Sequence, residues 1–90
     1  MEADTTTTCA HVDHLPDGVV PTSRRCEPCV ESGTPWVHLR MCLTCGSVGC
    51  CDSSPEAHAR AHAATSGHPV ARSVEPGEAW RWCYVDEVFT

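Results

Sequence analysis

The chain has 90 residues and a formal net charge of −6, with 12 acidic residues against six arginines and no lysine. Valine, leucine, isoleucine and phenylalanine together number only 14. A core of that size offsets little of the conformational entropy lost on folding, about 1.5 kcal/mol per residue. The low basic content argues against binding to nucleic acid or to an anionic membrane surface. Eight cysteines and six histidines remain as the means of stabilising a fold.

The N-terminal segment predicts a cytoplasmic protein. Residues 1–8 lack the basic and apolar regions of a signal peptide, and no apolar stretch reaches the about 20 residues needed to span a membrane. Thiols stay reduced in the cytoplasm, so a pattern of cysteines there indicates metal binding more often than disulfide bonds. Disulfide bonds are the alternative for so many cysteines in so short a chain.

In chain order, the pattern predicts a disordered lead over residues 1–8 and a single domain over 9–90. The predicted elements are a turn over 15–18, a Cys-x2-Cys pair at Cys26 and Cys29, a strand over 36–41, a second pair at Cys42 and Cys45, a helix over about 55–66, a strand over 70–74, a turn over 75–78 and a returning strand over 79–89. The fold class that follows is a small zinc-stabilised α+β domain with a short antiparallel sheet and one main helix.

The helix prediction depends on its ends and its alanines. Ser54 is a suitable N-cap, Pro55 fits the first helical position, and Glu56 favours the positive end of the helix dipole. Alanine recurs over residues 57–64, and Gly67 provides a C-terminal stop.

The spacing of cysteine and histidine predicts zinc. The two sulfurs of a Cys-x2-Cys pair can converge on one ion, and structural zinc takes four ligands of this kind. Two histidines of the predicted helix lie four residues apart, on the same side. Eight ligands complete two tetrahedral sites; they are Cys26, Cys29, Cys42, Cys45, Cys50, His58, His62 and His68.

Two divisions of these ligands are open. The sequential division places Cys26, Cys29, Cys42 and Cys45 on one ion and Cys50, His58, His62 and His68 on the other. The interleaved division places Cys26, Cys29, Cys50 and His58 together, and Cys42, Cys45, His62 and His68 together. Interleaving ties the helix to both pairs and closes longer loops, which suits a chain with little core. Spacing alone does not decide, and Cys51 is an alternative to Cys50 as a ligand.

A third site is predicted from the residues left over. Cys9 and His11 form a Cys-x-His pair, and Asp86 follows Cys83 by three residues. Carboxylate oxygen is an accepted zinc ligand. On a continuous strand, however, Cys83 and Asp86 would point to opposite faces unless the backbone turns between them. The prediction is therefore two or three zinc ions.

The ordered ligands together resemble the UBP-type zinc finger, found in ubiquitin-specific proteases and in a ubiquitin-binding deacetylase. The motifs that carry the resemblance are Cys9-x-His11, Cys26-x2-Cys29, Cys42-x2-Cys45-Gly46-x3-Cys50, His58-x3-His62-x5-His68-Pro69 and Trp82-Cys83-Tyr84. The resemblance covers residues 9–89 and is closest to small stand-alone bacterial members. It implies a cross-braced finger with the interleaved division of ligands. Asp86 stands where the family has a last cysteine.

The resemblance also implies a partner. Eukaryotic members bind the free Gly-Gly tail of ubiquitin between an aromatic wall and an arginine that follows the third-knuckle cysteine. Trp82 and Tyr84 match the wall, and Phe89 stands where tyrosine is usual. The arginine is absent, since Cys51 and Asp52 follow Cys50.

Our hypothesis from the residues is that Arg40 supplies the positive charge, from a strand face that it shares with Trp36. An arginine–carboxylate pair is bidentate and selective, which makes the exchange chemically possible. The alternative is an ordinary surface ion pair for Arg40. Trp80 is expected to pack in the core rather than to form the wall.

The predicted function is a monomeric zinc-binding interaction module for a protein C-terminal tail or a ubiquitin-like protein. The alternative is a purely structural or redox-responsive zinc module. An enzyme is not predicted. His58 and His62 have the histidine spacing of metalloproteases, but Ala59 stands where the catalytic glutamate would be.

Overall fold

The computed structural model describes residues 9–90, so the lead predicted over 1–8 lies outside the described residues. The elements are a 3-10 helix (Ala10–His14), α1 (Glu27–Ser32), β1 (Leu39–Cys42), β2 (Val48–Cys50), α2 (His58–Ser66), β3 (Val70–Ser73), β4 (Arg81–Cys83) and β5 (Val88–Phe89). The predicted small α+β fold is confirmed. Within residues 9–90, no helix combines the length and apolar character needed to cross a bilayer.

The five strands form one antiparallel sheet in the order β2-β1-β3-β4-β5. Residues directly opposite each other in such a sheet project from the same face. The face that carries Met41 also carries Leu39 and Val70, which are buried. We call it the Met41 face. The opposite, Arg40 face carries Trp82, because Trp82 lies opposite Ala71 on β3.

Helix α2 packs closely against β2, which the sequence analysis did not predict. A Cβ atom at Gly49 would lie 2.7 Å from the backbone nitrogen of Ala59, closer than any real Cβ contact. Glycine at this position therefore lets the helix approach the strand backbone directly. The strand escaped prediction because it has three residues with this glycine at its centre.

The main helix begins at His58 and not at residue 55 as predicted. The Ser54 hydroxyl is buried, where it accepts a hydrogen bond of 2.8 Å from the backbone N–H of Val37. It is thus not available as an N-cap. Ala57 has a φ of 46°, in the left-handed region, so the helix can start only after it. The predicted stop at Gly67 is confirmed, with a φ of 74°.

The predicted strand over 79–89 is wrong as one element, because the backbone turns in its middle. Strands β4 and β5 pair antiparallel, with Trp82 opposite Phe89. The turn between them is closed by a 2.8 Å hydrogen bond from the Glu87 N–H to the Cys83 carbonyl, and Glu87 has a φ of 56°. This reversal returns Asp86 to the side of Cys83.

The core consists of two small clusters dominated by cysteine. One contains Cys26, Cys29, Leu39, Met41, Val48 and Cys50. The other contains Cys9, Val70 and Cys83. Trp36 is half-buried against the first cluster. Cysteines therefore occupy the places that large aliphatic side chains fill in most domains of this size.

Candidate metal centres and the aromatic pocket

Twelve side chains gather into three groups of four, and within each group all the ligand atoms lie within 4.8 Å of one another. Site 1 is Cys26, Cys29, Cys50 and His58; site 2 is Cys42, Cys45, His62 and His68; site 3 is Cys9, His11, Cys83 and Asp86. The structure thus brings together the interleaved sets of ligands, and the sequential division is wrong. The coordination of an ion by each set stays a prediction.

Site 1 is buried between α1, β2 and the start of α2. The Nδ1 atom of His58 lies 3.3 Å from the sulfurs of Cys26 and Cys29 and 3.5 Å from that of Cys50. The backbone N–H of His58 also donates to the Cys50 sulfur, at 3.1 Å. Backbone N–H groups turned toward thiolate sulfurs are stabilising because they partly balance negative charge.

Site 2 joins the end of β1 and the turn after it to the middle of α2, at His62, and to His68 just beyond that helix. The Cys42 sulfur lies 3.6 Å from His68 Nδ1, and the Cys45 sulfur lies 3.5 Å from His62 Nε2. Cys45 is exposed, whereas Cys42 is buried. This site therefore lies nearer to solvent than site 1.

Site 3 joins the first described residue to the β4–β5 turn. Asp86 Oδ2 lies 2.9 Å from the Cys9 sulfur and 3.1 Å from His11 Nδ1. The sulfur of Cys83 lies 3.4 Å from the same histidine nitrogen. The carboxylate thus takes up the fourth position of the group.

Cys51 belongs to none of the three groups. It is buried, and its sulfur lies 3.5 Å from the Ser54 hydroxyl. Burial alone would raise the pKa of the Cys51 thiol, but hydrogen bonds at Ser54, His38 and Ser53 lower it below its ordinary value. Cys50 is therefore the residue that the structure offers to site 1.

The chemistry of the grouped thiols fits zinc. Burial, followed by hydrogen bonds to Cys26 and Cys50, raises the pKa of the Cys29 thiol to about 12. A hydrogen bond to Asp86, followed by burial, raises the pKa of Cys9 to about 11. Burial and these hydrogen bonds thus disfavour each thiolate. A divalent cation would reverse this balance for all the sulfurs of a site together.

The three groups match the ligand types and number of structural zinc sites. When bound, zinc would stabilise the fold by joining distant segments, and it would have no open coordination position for a substrate. The protein's own residues fix the geometry: α2 presents His58 and His62, and the β4–β5 turn presents Asp86.

Replacing the carboxylate tests site 3. We expect Asp86→Ala to lose one zinc ion and to keep the other two, because sites 1 and 2 share no ligand with site 3. Native mass spectrometry of the zinc-loaded protein measures this directly. Asp13→Ala is the matched control, since this exposed aspartate lies outside the three groups. If the Asp86 variant carried the same number of ions as the unaltered protein, Asp86 would not be a ligand.

Beside site 1, a pocket of about 230 Å³ opens on the Arg40 face. We call it the aromatic pocket; its lining residues are Arg40, Cys51, Asp52, Ser53, Trp80, Trp82, Tyr84 and Phe89. Four of the five predicted pocket residues are among them. Trp36 was predicted wrongly: β1 begins only at Leu39, and Trp36 packs against the core.

The aromatic rings form a continuous wall. Phe89 meets Trp82 edge to face at a centroid distance of 4.8 Å, and it meets Trp80 in the same way at 5.3 Å. Burial is the main cause that raises the pKa of Tyr84 to about 12. Trp80 belongs to this wall, contrary to the prediction that it packs in the core. The alternation of Trp80 and Trp82 on one strand face could have indicated this.

Two arginines determine the charge of the pocket. The guanidinium carbon of Arg40 lies 4.4 Å from the centre of the Trp80 ring, a cation–π contact. Its only hydrogen bond within residues 9–90 runs from Nη1 to the Leu39 carbonyl, at 2.9 Å. The alternative of a surface ion pair for Arg40 is therefore wrong for the described residues. Asp52 is held by Arg60 through bonds of 2.6 and 3.2 Å.

The fold and its grouped cysteines and histidines define a zinc-finger domain. The family model for the zinc finger in ubiquitin-hydrolases and other proteins matches residues 26–90. The chain belongs to this family of zinc-binding domains, as its sequence resemblance predicted, and zinc is its cofactor.

The chain is also similar to two individual proteins. The solution NMR structure of protein RPA1320 from Rhodopseudomonas palustris is 51% identical and has a TM-score of 0.83; the match covers 93% of this chain and 81% of that one. Ubiquitin carboxyl-terminal hydrolase 14 of Schizosaccharomyces pombe is 32% identical over an alignment of 91 positions, which covers 87% of this chain. The chain spans only 11% of that curated relative.

Proposed function

We propose that the protein is a monomeric, non-catalytic module of a reducing compartment such as the cytoplasm, and that it binds the C-terminal tail of a ubiquitin-like protein. The aromatic pocket would take a tail that ends in Gly-Gly, and Arg40 would bind the terminal carboxylate. The observation that carries this proposal is the guanidinium of Arg40, which lies in the pocket wall and has most of its donors unused within residues 9–90.

The arrangement of Arg40 supports a role in binding an anion. A guanidinium has five N–H donors, and within residues 9–90 Arg40 uses one. Stacking on Trp80 restricts the side chain and leaves its edge open to a ligand. A carboxylate can accept two parallel hydrogen bonds from such an edge. Arg40 would thus replace the arginine that the family has at the position of Cys51.

The charge of Asp52 does not oppose this role. Its carboxylate would repel an anionic tail, but Arg60 engages both of its oxygens. The guanidinium carbon of Arg60 also lies 5.6 Å from the Tyr84 ring centre. The acidic residue therefore contributes little net negative charge to the pocket, and among the described residues Arg40 remains as its cation without an ion pair.

The closed metal centres support a binding role over a catalytic one. A catalytic zinc keeps one position open for water or substrate. Each of the three groups in residues 9–90 already provides four ligand atoms. Ala59 follows His58, so the glutamate base of the metalloprotease motif is missing.

Titration calorimetry of the zinc-loaded protein with a peptide ending in Gly-Gly, and with its C-terminal amide, tests the proposal. We expect the amide to bind at least about tenfold more weakly, because a hydrogen bond to a charged group is worth about 1.5–3 kcal/mol. Arg40→Gln should remove this difference between the two peptides. Arg24→Gln is the matched control, since this exposed arginine lies outside the aromatic pocket.

The same titration can overturn the proposal. Equal affinities of the two peptides for the unaltered protein would show that no carboxylate is read. Binding of neither peptide would favour the alternative of a purely structural module.

A further inference from the structure

A second pair of arginines lies on the Met41 face of the sheet, away from the aromatic pocket. In the β3–β4 register, Arg72 is directly opposite Arg81, so both side chains project from the same face. Like charges in this position repel each other and destabilise the pairing of the strands. A protein with a net charge of −6 and only six arginines thus places two of them side by side.

No aspartate or glutamate of the described residues forms an ion pair with either arginine. The three ion pairs within residues 9–90 involve other side chains. Arg72 donates its Nε–H to the Ser73 carbonyl at 3.0 Å, and Arg81 donates its Nε–H to the main-chain oxygen of Thr90 at 3.2 Å. Both guanidinium groups are thereby fixed through Nε, and within the described chain the terminal nitrogens have no acceptor.

The two side chains line a pocket of about 310 Å³ that the segment after the 3-10 helix helps to enclose. We call it the arginine pocket; the other lining residues are Val12, Leu15, Pro16, Asp17, Leu43 and Ala79. Both arginines are half-buried. Partly apolar walls strengthen the attraction for an anion because they keep water from screening it. The two guanidinium groups and the Asp17 carboxylate give the lining a net charge of +1, which suits a monoanion.

We propose that the arginine pocket is an anion-binding site for a carboxylate, held by the terminal nitrogens of Arg72 and Arg81. Two adjacent guanidinium groups match a carboxylate because each can donate parallel hydrogen bonds to its oxygens. Binding would also relieve the repulsion between the two strands. This site is separate from the proposed tail-binding function, since the two pockets share no lining residue.

NMR titration of the full-length, zinc-loaded, 15N-labelled protein with sodium acetate tests this inference. We expect saturable shifts of the Nε–H signals of Arg72 and Arg81, and no such saturation with sodium chloride at the same ionic strength. Inorganic phosphate should bind more weakly than acetate. N-acetylglutamic acid amide distinguishes the source of the carboxylate: tighter binding than acetate assigns an acidic protein side chain, and equal or weaker binding assigns a small organic acid.

Variants make the test specific. Arg72→Gln should weaken acetate binding at least about tenfold. Arg72→Lys should bind acetate more tightly than Arg72→Gln but less tightly than the unaltered protein, because lysine keeps the charge but lacks the paired N–H donors of the guanidinium. Arg24→Gln should leave acetate binding unchanged. Both Arg72 variants should fold, since Gln removes one of two repelling charges, and signal dispersion in the same spectra checks this. Acetate shifts that equal those of chloride, tighter binding of phosphate, or unchanged affinity in Arg72→Gln would each overturn the proposal.

Discussion

Removal of zinc with an excess of chelator is expected to unfold the protein. The two core clusters contain nine buried residues, of which five are cysteines of sites 1 and 3. Without metal, these thiols contribute little packing, and the remaining aliphatic side chains are too few to offset chain entropy. Structural zinc contributes about 10–16 kcal/mol of binding free energy in zinc-finger peptides, and that energy is also folding energy.

Circular dichroism and NMR of the same sample measure this loss. The β-sheet signal and the dispersion of amide resonances should disappear with chelation and return when zinc is restored. Magnesium serves as the control and should restore neither, because it prefers oxygen ligands. Native spectra in the chelated protein would mean that the apolar core suffices and that the role given to the metal is wrong.

The second large effect is expected from Cys50→Ser, set against Cys51→Ser as its matched neighbour. Cys50 lies within site 1, where it also accepts the backbone N–H of His58. Its loss should release one ion and destabilise the fold by more than about 4 kcal/mol, as the loss of a structural metal does. Cys51→Ser should keep every ion and cost about 1 kcal/mol, because only a buried thiol near Ser54 is altered.

Native mass spectrometry and thermal unfolding of the two variants provide the comparison. The assignment would be reversed if Cys51→Ser released an ion while Cys50→Ser retained all of them. If both variants retained every ion of the unaltered protein, either thiol could complete site 1.

The sequence predicted the ligand residues and the class of fold because both depend on residue type and spacing. Cysteine and histidine are rare residues but common zinc ligands, so their order along the chain is informative. The alanine-rich stretch before Gly67 is typical of a helix. The choice between the two divisions of ligands came only with the family resemblance, since the spacing of Cys26, Cys42 and Cys50 permits both.

Other features depend on contacts between distant segments and could not be predicted from the local sequence. Serine is a common N-cap residue, but the Ser54 hydroxyl accepts a hydrogen bond from the backbone N–H of Val37 instead. Helix α2 therefore begins later, at His58. Strand β2 pairs with β1, and Gly49 at its centre lets α2 approach it closely, a contact that no local pattern indicates. Trp36 and Trp80 exchanged their predicted roles, because β1 starts after Trp36 and Arg40 stacks on Trp80.

Site 3 also affects the topology of the chain. Cys9 and Asp86 are 77 positions apart, so a zinc ion held between them turns nearly the whole polypeptide into a closed ring. The exposed tip at Pro76 and Gly77 could then be cleaved by a protease without separating the halves. A nicked molecule would still migrate as a single species under native conditions, and would come apart only after demetallation.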